Sequence, residues 1–413
     1  MNAGVMTRKA AALSALALAA AMCFAEPSAA SGARPPAVSA RSVVLVDEAT
    51  GTLLFGKNPD LVIPPASLTK LVTLHVVYEE LNAGRLSRDE IITIDKRDCS
   101  PYIPYGSSLM YLHPDMKVSV IDLMLGAAVV SGNDAAFALA RRVSGSNDAF
   151  ASRMNADIRS MGLRKMYFVE PSGLSEMNYV TAREFAEFCR RYVELHPESL
   201  SELHSLRYIE FPRPEHATAD YVPKGRIVQF NRNDLVKFYP GCDGLKTGYI
   251  IESGYNLAAT AERDGTRFIL VTLGGSGSGG AQGGVDQRSR DGGRLLDWAF
   301  GSYVTERPDV GPLEAPRAWY GSSKRVAVVP ASALAVTLPR QSAASLSFRV
   351  ELARSVDAPI AAGARLGEVI YSSDGKVVRR VDLVAERDVP RGGIFTIIGD
   401  AFAKFFAKLF GKA

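Results

Sequence analysis

The sequence predicts an α+β protein: an antiparallel sheet with a helical lobe, then a small all-β domain and a C-terminal amphipathic helix. Three observations predict it. Hairpin patterns stand at both ends of the larger N-terminal part, with helical patterns between them. Pro308, Pro312 and Pro316 then mark a break, after which the chain switches to short alternating stretches. Near the C-terminus, Ile394, Ile397, Ile398, Phe402, Phe405, Phe406, Leu409 and Phe410 recur at helical spacing.

The chain has 413 residues, 47% hydrophobic and 22% charged, an ordinary globular composition with length for two domains. A net charge of +4 gives no basis for a nucleic-acid partner. Residues 1–25 read as a secretory signal: Arg8 and Lys9 precede an Ala-rich apolar run that ends in the small residues around Ala25. Lipidation at Cys23 ranks lower, because Met22 before it is bulky. Residues 26–38 read as a flexible leader. With Cys23 removed, Cys99, Cys189 and Cys242 remain, an odd number that gives no disulfide framework. The five histidines show no metal-ligand spacing, so neither a metal nor a cofactor is expected, and all read as core or surface positions.

Residues 42–55 read as a hairpin turning at Ala49-Thr50-Gly51. Pro64 and Pro65 then lead stiffly into an apolar run (Leu71, Val72, Leu74, Val76, Val77), a buried helix whose first turn carries Ser67 and Lys70. Residues three apart share a helix face, so the amine can reach the hydroxyl. Burial would disfavour the ammonium, and a neutral lysine could take the serine proton. The spacing alone is weak evidence. It recurs as Ser373 and Lys376 across an Asp374-Gly375 turn.

Residues 87–115 read as turn-rich, with short strands at 91–94 and 109–112. An apolar helix starts near Ser119 and ends at Ser131-Gly132-Asn133-Asp134, with Asn133 or Asp134 capping the next helix. Further helices are expected at 147–161 and 181–192, with a Pro/Gly loop at 168–180 between them. Residues 196–226 are polar and have no clear assignment. Lys246-Thr247-Gly248 lies on a strand leading into a hairpin at Asp264-Gly265, and a strand glycine admits close backbone or ligand approach. Residues 274–284 read as a long Gly-rich loop and 294–300 as a short closing helix. The boundaries that follow are a larger domain at 39–305, a linker at 306–316, an all-β domain at 317–390 and an amphipathic helix at 391–413. In that last stretch Lys404, Lys408 and Lys412 fall on one face and the aromatics on another. The stretch is too interrupted to span a bilayer and suits lying in a membrane surface.

S-x-N and K-T-G each occur once, in order after Ser67-x-x-Lys70. With the run Ser131-Gly-Asn-Asp-Ala-Ala136, residues 243–248, the strand near residue 45 and Gly106-Ser107-Ser108, the chain resembles the penicillin-recognising serine acyltransferases. Within them it resembles the D-alanyl-D-alanine carboxypeptidases, the low-molecular-mass penicillin-binding proteins. The resemblance implies a β-lactamase/transpeptidase-like domain over residues 39–303. It implies an acyl-enzyme on Ser67 with Lys70 as base and Ser131 as proton relay to the leaving amine. It gives Asn133 the substrate's backbone amide, Lys246 a supporting positive charge and Thr247 the terminal carboxylate. The backbone N–H groups of Ser67 and Tyr249 would form the oxyanion hole, beside Gly248. Arg288, seven residues before Leu295-Leu296, stands where the family has a carboxylate-binding arginine, although the preceding Gly-rich loop looks longer than the family's.

The implied substrates are peptidoglycan stem peptides, and the implied inhibitors are β-lactams. The implied place is periplasmic, peripheral on the outer face of the cytoplasmic membrane, in cell-wall biogenesis and cell shape. A D,D-endopeptidase would share this chemistry. A β-lactamase would need a deacylating glutamate, and Glu170-Pro171 invites that reading, but position 174 is Leu where an asparagine is wanted. A non-enzymatic peptidoglycan-binding role is disfavoured by the intact motifs.

Overall fold

The computed structural model describes residues 34–277 and 280–409. The expected signal segment with Cys23, most of the leader and residues 410–413 lie outside the described residues. Strands β1 (Ser42–Asp47) and β2 (Leu53–Lys57) form the expected hairpin, turning through Gly51 at φ +68°. Strands β3 (Cys242–Ile250), β4 (Gly254–Arg263) and β5 (Thr266–Gly275) complete an antiparallel sheet in the order β2-β1-β5-β4-β3. β4 turns into β5 at Asp264-Gly265, both at positive φ (+50° and +72°), as a tight hairpin loop requires.

β1 reads as a continuous apolar run because both of its faces are buried. Successive side chains point to opposite faces. Val44 and Val46 join the core shared with the helical lobe, while Val43 and Leu45 join the one under the last long helix.

The helical lobe contains α1 (Thr69–Asn82), α2 (Val120–Val129), α3 (Asn133–Ser144), α4 (Asn147–Ser160) and α5 (Ala182–Leu195). Every residue of α1 from Thr69 to Tyr78 is buried, so this helix lies inside the lobe and has no polar stripe. α5 is the opposite case. Phe185, Phe188, Cys189 and Tyr192 line one face, which packs on β1 and β5. Ser119 and Thr181 cap α2 and α5 by accepting from Asp122 N–H and Glu184 N–H.

The structure corrects several expectations. Residues 109–112 form no strand; the N–H groups of Met110 and Leu112 go instead to the Asp134 carboxylate. Lys117–Ser119 is the strand that pairs with Ile91–Thr93. The cap of α3 is Gly132, with Asn133 already inside the helix. The Gly-rich segment expected as a loop begins in β5 and ends in a helix: β5 takes in Gly274 and Gly275, and α6 runs over Gly280–Ser302. Its glycines serve packing there, because a Cβ on Gly284 would lie 2.0 Å from the Tyr255 ring. In the unassigned 196–226 region, Tyr208–Glu210 pairs with Val228–Phe230.

β6 (Tyr303–Glu306) follows, then β7 (Val328–Pro330), β8 (Val336–Pro339), β9 (Ser347–Leu352), β10 (Arg365–Ser373) and β11 (Lys376–Ala385). β7, β11, β10 and β9 form the expected all-β unit, and Asp374-Gly375 makes the β10–β11 turn at φ +51° and +75°. The expected break at 305/306 is bridged, because β6 pairs with β8. Buried Asp47 accepts from Thr50 and Thr305, and Thr337 on β8 bonds Thr50 at 2.8 Å. Helix α7 (Ile394–Leu409) closes the described chain. It docks by its polar side. Asp400 accepts from Tyr320 N–H at 2.7 Å and from Arg317, and Lys404 pairs with Asp357.

Candidate active site

Ser67 sits on a single 3-10 turn, Ala66–Leu68, that runs directly into α1. This tight entry depends on two glycines from other segments. A Cβ on Gly173 would lie 1.9 Å from Ala66 O, and one on Gly248 would lie 2.8 Å from Pro65 O and 3.0 Å from Ser67 N. β3, the edge strand, thereby lies flush against the serine turn. Ala66 itself is held at φ +50°, a strained conformation for a residue with a Cβ.

Ser67 is half-buried and Lys70 fully buried. The Lys70 amine lies 3.2 Å from Ser67 Oγ, 2.6 Å from Asn133 Oδ1 and 2.6 Å from Ser172 O. Asn133 and Ser172 accept its protons and aim the remaining position at the serine hydroxyl. Burial pushes the Lys70 pKa down to about 7, against the opposing pull of Glu170 and Asp134. The amine is therefore poised between its two forms near neutral pH.

Ser131 lies on the turn between α2 and α3 at φ +64°, nearly buried. Asp134, one residue past Asn133, holds that turn. Its carboxylate accepts from Met110 N–H (2.9 Å), Leu112 N–H (3.0 Å) and Ala135 N–H (2.9 Å). Asn133 N–H donates to Ser108 O at 2.9 Å, so the Gly106-Ser107-Ser108 segment is fixed to the same place.

Lys246 is also buried and donates to Thr247 O at 3.1 Å. Its pKa is lowered well below the usual lysine range, first by burial and then by Lys70, Arg288 and Arg232. Burial is thus the first cause of the lowered pKa at both amines. Arg288 on α6 supplies the lasting charge, since burial lowers its pKa only to about 10. Thr247 Oγ1 and Arg288 Nη2 each lie 3.4 Å from Arg232 O, so the predicted arginine does reach the K-T-G strand. Arg288 Nε is buried without an acceptor. Arg232 was not legible from any motif. Tyr249 is half-exposed, its ring against Tyr255 at 4.5 Å.

Glu170 does different work from that of a deacylating base. Its carboxylate accepts from Ser172 N–H and Oγ–H, Gly173 N–H and the Asn178 amide at 2.6–3.0 Å. It thus sets the loop whose Ser172 carbonyl holds Lys70. Two of the histidines, far apart in sequence, meet in the fold: His75 Nδ1 lies 2.9 Å from His196 Nε2, with Glu79 beside them. Their 121-residue separation hid the pair from a reading of spacing.

A buried lysine bound to a serine on a 3-10 turn, under an edge strand carrying K-T-G, is an arrangement suited to serine acyl transfer. The D-alanyl-D-alanine carboxypeptidase family model matches residues 29–277, and the model for the C-terminal domain of penicillin-binding protein 5 matches residues 312–391. The chain belongs to the D-alanyl-D-alanine carboxypeptidase family, the low-molecular-mass penicillin-binding proteins. It is 32% identical to the D-alanyl-D-alanine carboxypeptidase DacA of Haemophilus influenzae, over 89% of this chain and 90% of that one. It is 31% identical to DacC of Escherichia coli, over 91% of each. The crystal structure of penicillin-binding protein 5 from Haemophilus influenzae superposes with a TM-score of 0.73 at 31% identity, covering 87% of this chain and all of that one.

Asp134→Ala would leave the buried N–H groups of Met110 and Leu112 without an acceptor, at about 1–3 kcal/mol each. A fall in urea-unfolding stability of roughly 2–5 kcal/mol is expected. A change under about 0.5 kcal/mol, the scale of an ordinary surface substitution, would show that Asp134 does not hold the turn.

Proposed function

We propose that this serine-type D-alanyl-D-alanine carboxypeptidase removes the terminal D-Ala from peptidoglycan stem pentapeptides. The observation that carries the reading is the buried Lys70 amine on Ser67 Oγ, with a pKa of about 7. Neutral Lys70 takes the Ser67 proton as Oγ attacks the carbonyl of the penultimate D-Ala. Charge building on that oxygen meets the N–H groups of Ser67 and Tyr249. The C–N bond breaks, and the proton passes from Lys70 through Ser131 to the departing D-Ala amine. Asn133 holds the substrate's backbone amide. Thr247 and Arg288, with Lys246, take the terminal carboxylate, and that anion draws Lys246 back toward its charged form. Water then cleaves the Ser67 ester, with Lys70 again as base, because the Glu170 carboxylate is committed to its loop.

The D-alanyl-D-alanine endopeptidase of Pseudomonas aeruginosa matches only 56% of this chain, whereas the carboxypeptidases match 87–91% of it. That difference favours the carboxypeptidase. β-Lactams should acylate Ser67. A penicillin-binding protein of Listeria monocytogenes, 27% identical over 65% of this chain with a TM-score of 0.54, is known in an ampicillin-bound form.

Mixed muropeptides digested with the protein should lose one alanine from monomeric pentapeptides, with no change under Ser67→Ala. Conversion of dimers to monomers would establish the endopeptidase instead, and no change with folded protein would refute catalysis.

The rate of Ser67 acylation by a penicillin should rise with pH through about 7 and then level off, because only neutral Lys70 accepts the proton. A rate that falls over pH 6–8 would remove Lys70 as the base.

The protein is further proposed to be exported by its N-terminal signal and to lie on the outer face of the cytoplasmic membrane. No described helix is long and apolar enough to cross a membrane. α7 presents Ile394, Phe395, Ile398, Phe402, Phe405 and Phe406 outward while its polar side is docked, the attitude of a helix lying in a lipid surface. Deleting residues 392–413 should move the protein from the membrane to the soluble fraction. Retention of the truncated form would show that α7 is not the anchor.

A further inference from the structure

The helical lobe holds a second cluster of reactive side chains that the peptidase chemistry leaves unused. His75 and Glu79 stand one turn apart on α1, and His196 caps the C-terminal end of α5. One ligand atom from each lies within 4.8 Å of the other two, and this is the one such His/Cys/Asp/Glu group among the described residues. His75 Nδ1 is 2.9 Å from His196 Nε2, and Glu79 Oε1 is 3.7 Å from the same nitrogen.

We propose that His75 Nδ1, His196 Nε2 and the Glu79 carboxylate form a binding site for a divalent transition metal of the zinc class, completed by water.

Several features of the cluster support this. Zinc binds imidazole nitrogen at about 2.0–2.1 Å and carboxylate oxygen at about 2.0–2.2 Å, and His₂Glu is an established donor set for it. On those distances the two nitrogens need to part by only about 0.4 Å to reach tetrahedral spacing. Both imidazoles are at most 2% exposed, and burial holds them neutral, at about 3 for His75 and about 4 for His196. Neutral imidazole is the form that ligates.

Without a metal the two facing nitrogens share one proton in an N–H···N bond, which a bound ion would replace. The surroundings suit a cation. Arg153 is engaged by Asp157 at 2.8 Å and by Glu80 at 3.1 Å, and Arg85 is paired with Glu80 at 2.7 Å. Three carboxylates (Glu79, Glu80, Asp157) therefore face two guanidiniums. Burial raises the pKa of Glu79, a cost that a bound cation would relieve. The Glu79 side chain is 41% exposed and gives the ion a way in from solvent. The ion would tie α1, which carries Lys70, to the end of α5. Its role would be to brace the lobe, with no part in the acyl transfer.

The test uses untagged full-length protein stripped with a chelator and dialysed against zinc or cobalt(II). One equivalent should bind, and the thermal midpoint should rise by about 3 °C or more at a hundredfold excess over Kd. Cobalt should give the intense visible absorption of a four- or five-coordinate site. His196→Gln should abolish all three effects. Glu79→Gln, at a partly exposed position that tolerates the change, should weaken binding by at least about tenfold. His113→Gln, a histidine outside the cluster, should change nothing. Binding that persists equally in Glu79→Gln and His196→Gln would overturn the site. So would the absence of any stoichiometric metal, or a cobalt spectrum of the hexa-aqua kind.

Discussion

One buried amine sets the terms for the rest of this molecule. The unfolded chain keeps the Lys70 proton up to about pH 10.5, and the folded chain only to about 7. The cost to the fold is therefore full below pH 7, roughly 4–5 kcal/mol, and fades as pH climbs toward 10.5. That is a large part of the stability of an ordinary domain. It persists because the amine is held from three directions: the start of α1, Asn133 at the start of α3, and the Ser172 carbonyl. The same burial that destabilises the ammonium favours the neutral amine on which the proposed chemistry rests.

Each of those three holders needs its own support, and the support explains much of the lobe. Asp134 gathers the N–H groups of Met110 and Leu112, which fixes the turn that presents Asn133. Glu170 gathers the N–H groups of its own loop, and Asn155 bonds both the N–H and the C=O of Phe168 at the loop's start. Thr73 on α1 reaches the same loop at Pro171 O, 2.6 Å away. Two carboxylates, the buried Asp134 and the half-buried Glu170, thus organise backbone around the lysine without bonding it. Both raise its pKa by their charge, so the value near 7 is a balance between burial and the acids that build the pocket. His204 plays the matching part on the other wall. Held neutral by burial at about 3, it lies 3.1 Å from Leu245 O and so steadies the strand that carries Lys246.

The parts of this arrangement that were legible in the sequence are those encoded over short distances. Ser67 and Lys70 are three residues apart, Ser131 and Asn133 share one turn, and Lys246 to Tyr249 follow one another on β3. The Asp264-Gly265 hairpin and the alternation in β1 were legible for the same reason. What was missed depends on partners far away. Met110 and Leu112 look like a strand, but their N–H groups are taken by Asp134, 22 or more residues on. The glycines before Arg288 look like a loop, yet they let α6 press against Tyr255. His75 and His196 meet only because ring contacts, His75 with Phe188 and Tyr78 with Tyr192, join α1 to α5. The motif likewise says nothing of how burial beside Lys70 and Arg288 lowers the pKa of Lys246.

The same distance effect decides how the C-terminal unit should be understood. Its sequence reads as a separate domain behind a proline-marked linker, and by composition it could hang freely. The ladder between β6 and β8, and the Thr50, Thr305 and Thr337 hydroxyls around Asp47, tie it to the edge of the catalytic sheet. At its other end, Asp357 and Tyr320 grip the polar side of α7. A continuous set of hydrogen bonds therefore runs from β1, through the all-β unit, to a helix whose apolar side faces out. A chain anchored by that helix would hold its serine at a fixed orientation to the surface beneath it. Flexibility of the kind the prolines suggest would work against such fixed presentation. The buried Asp47 cluster is thus a constraint on where the active site can reach.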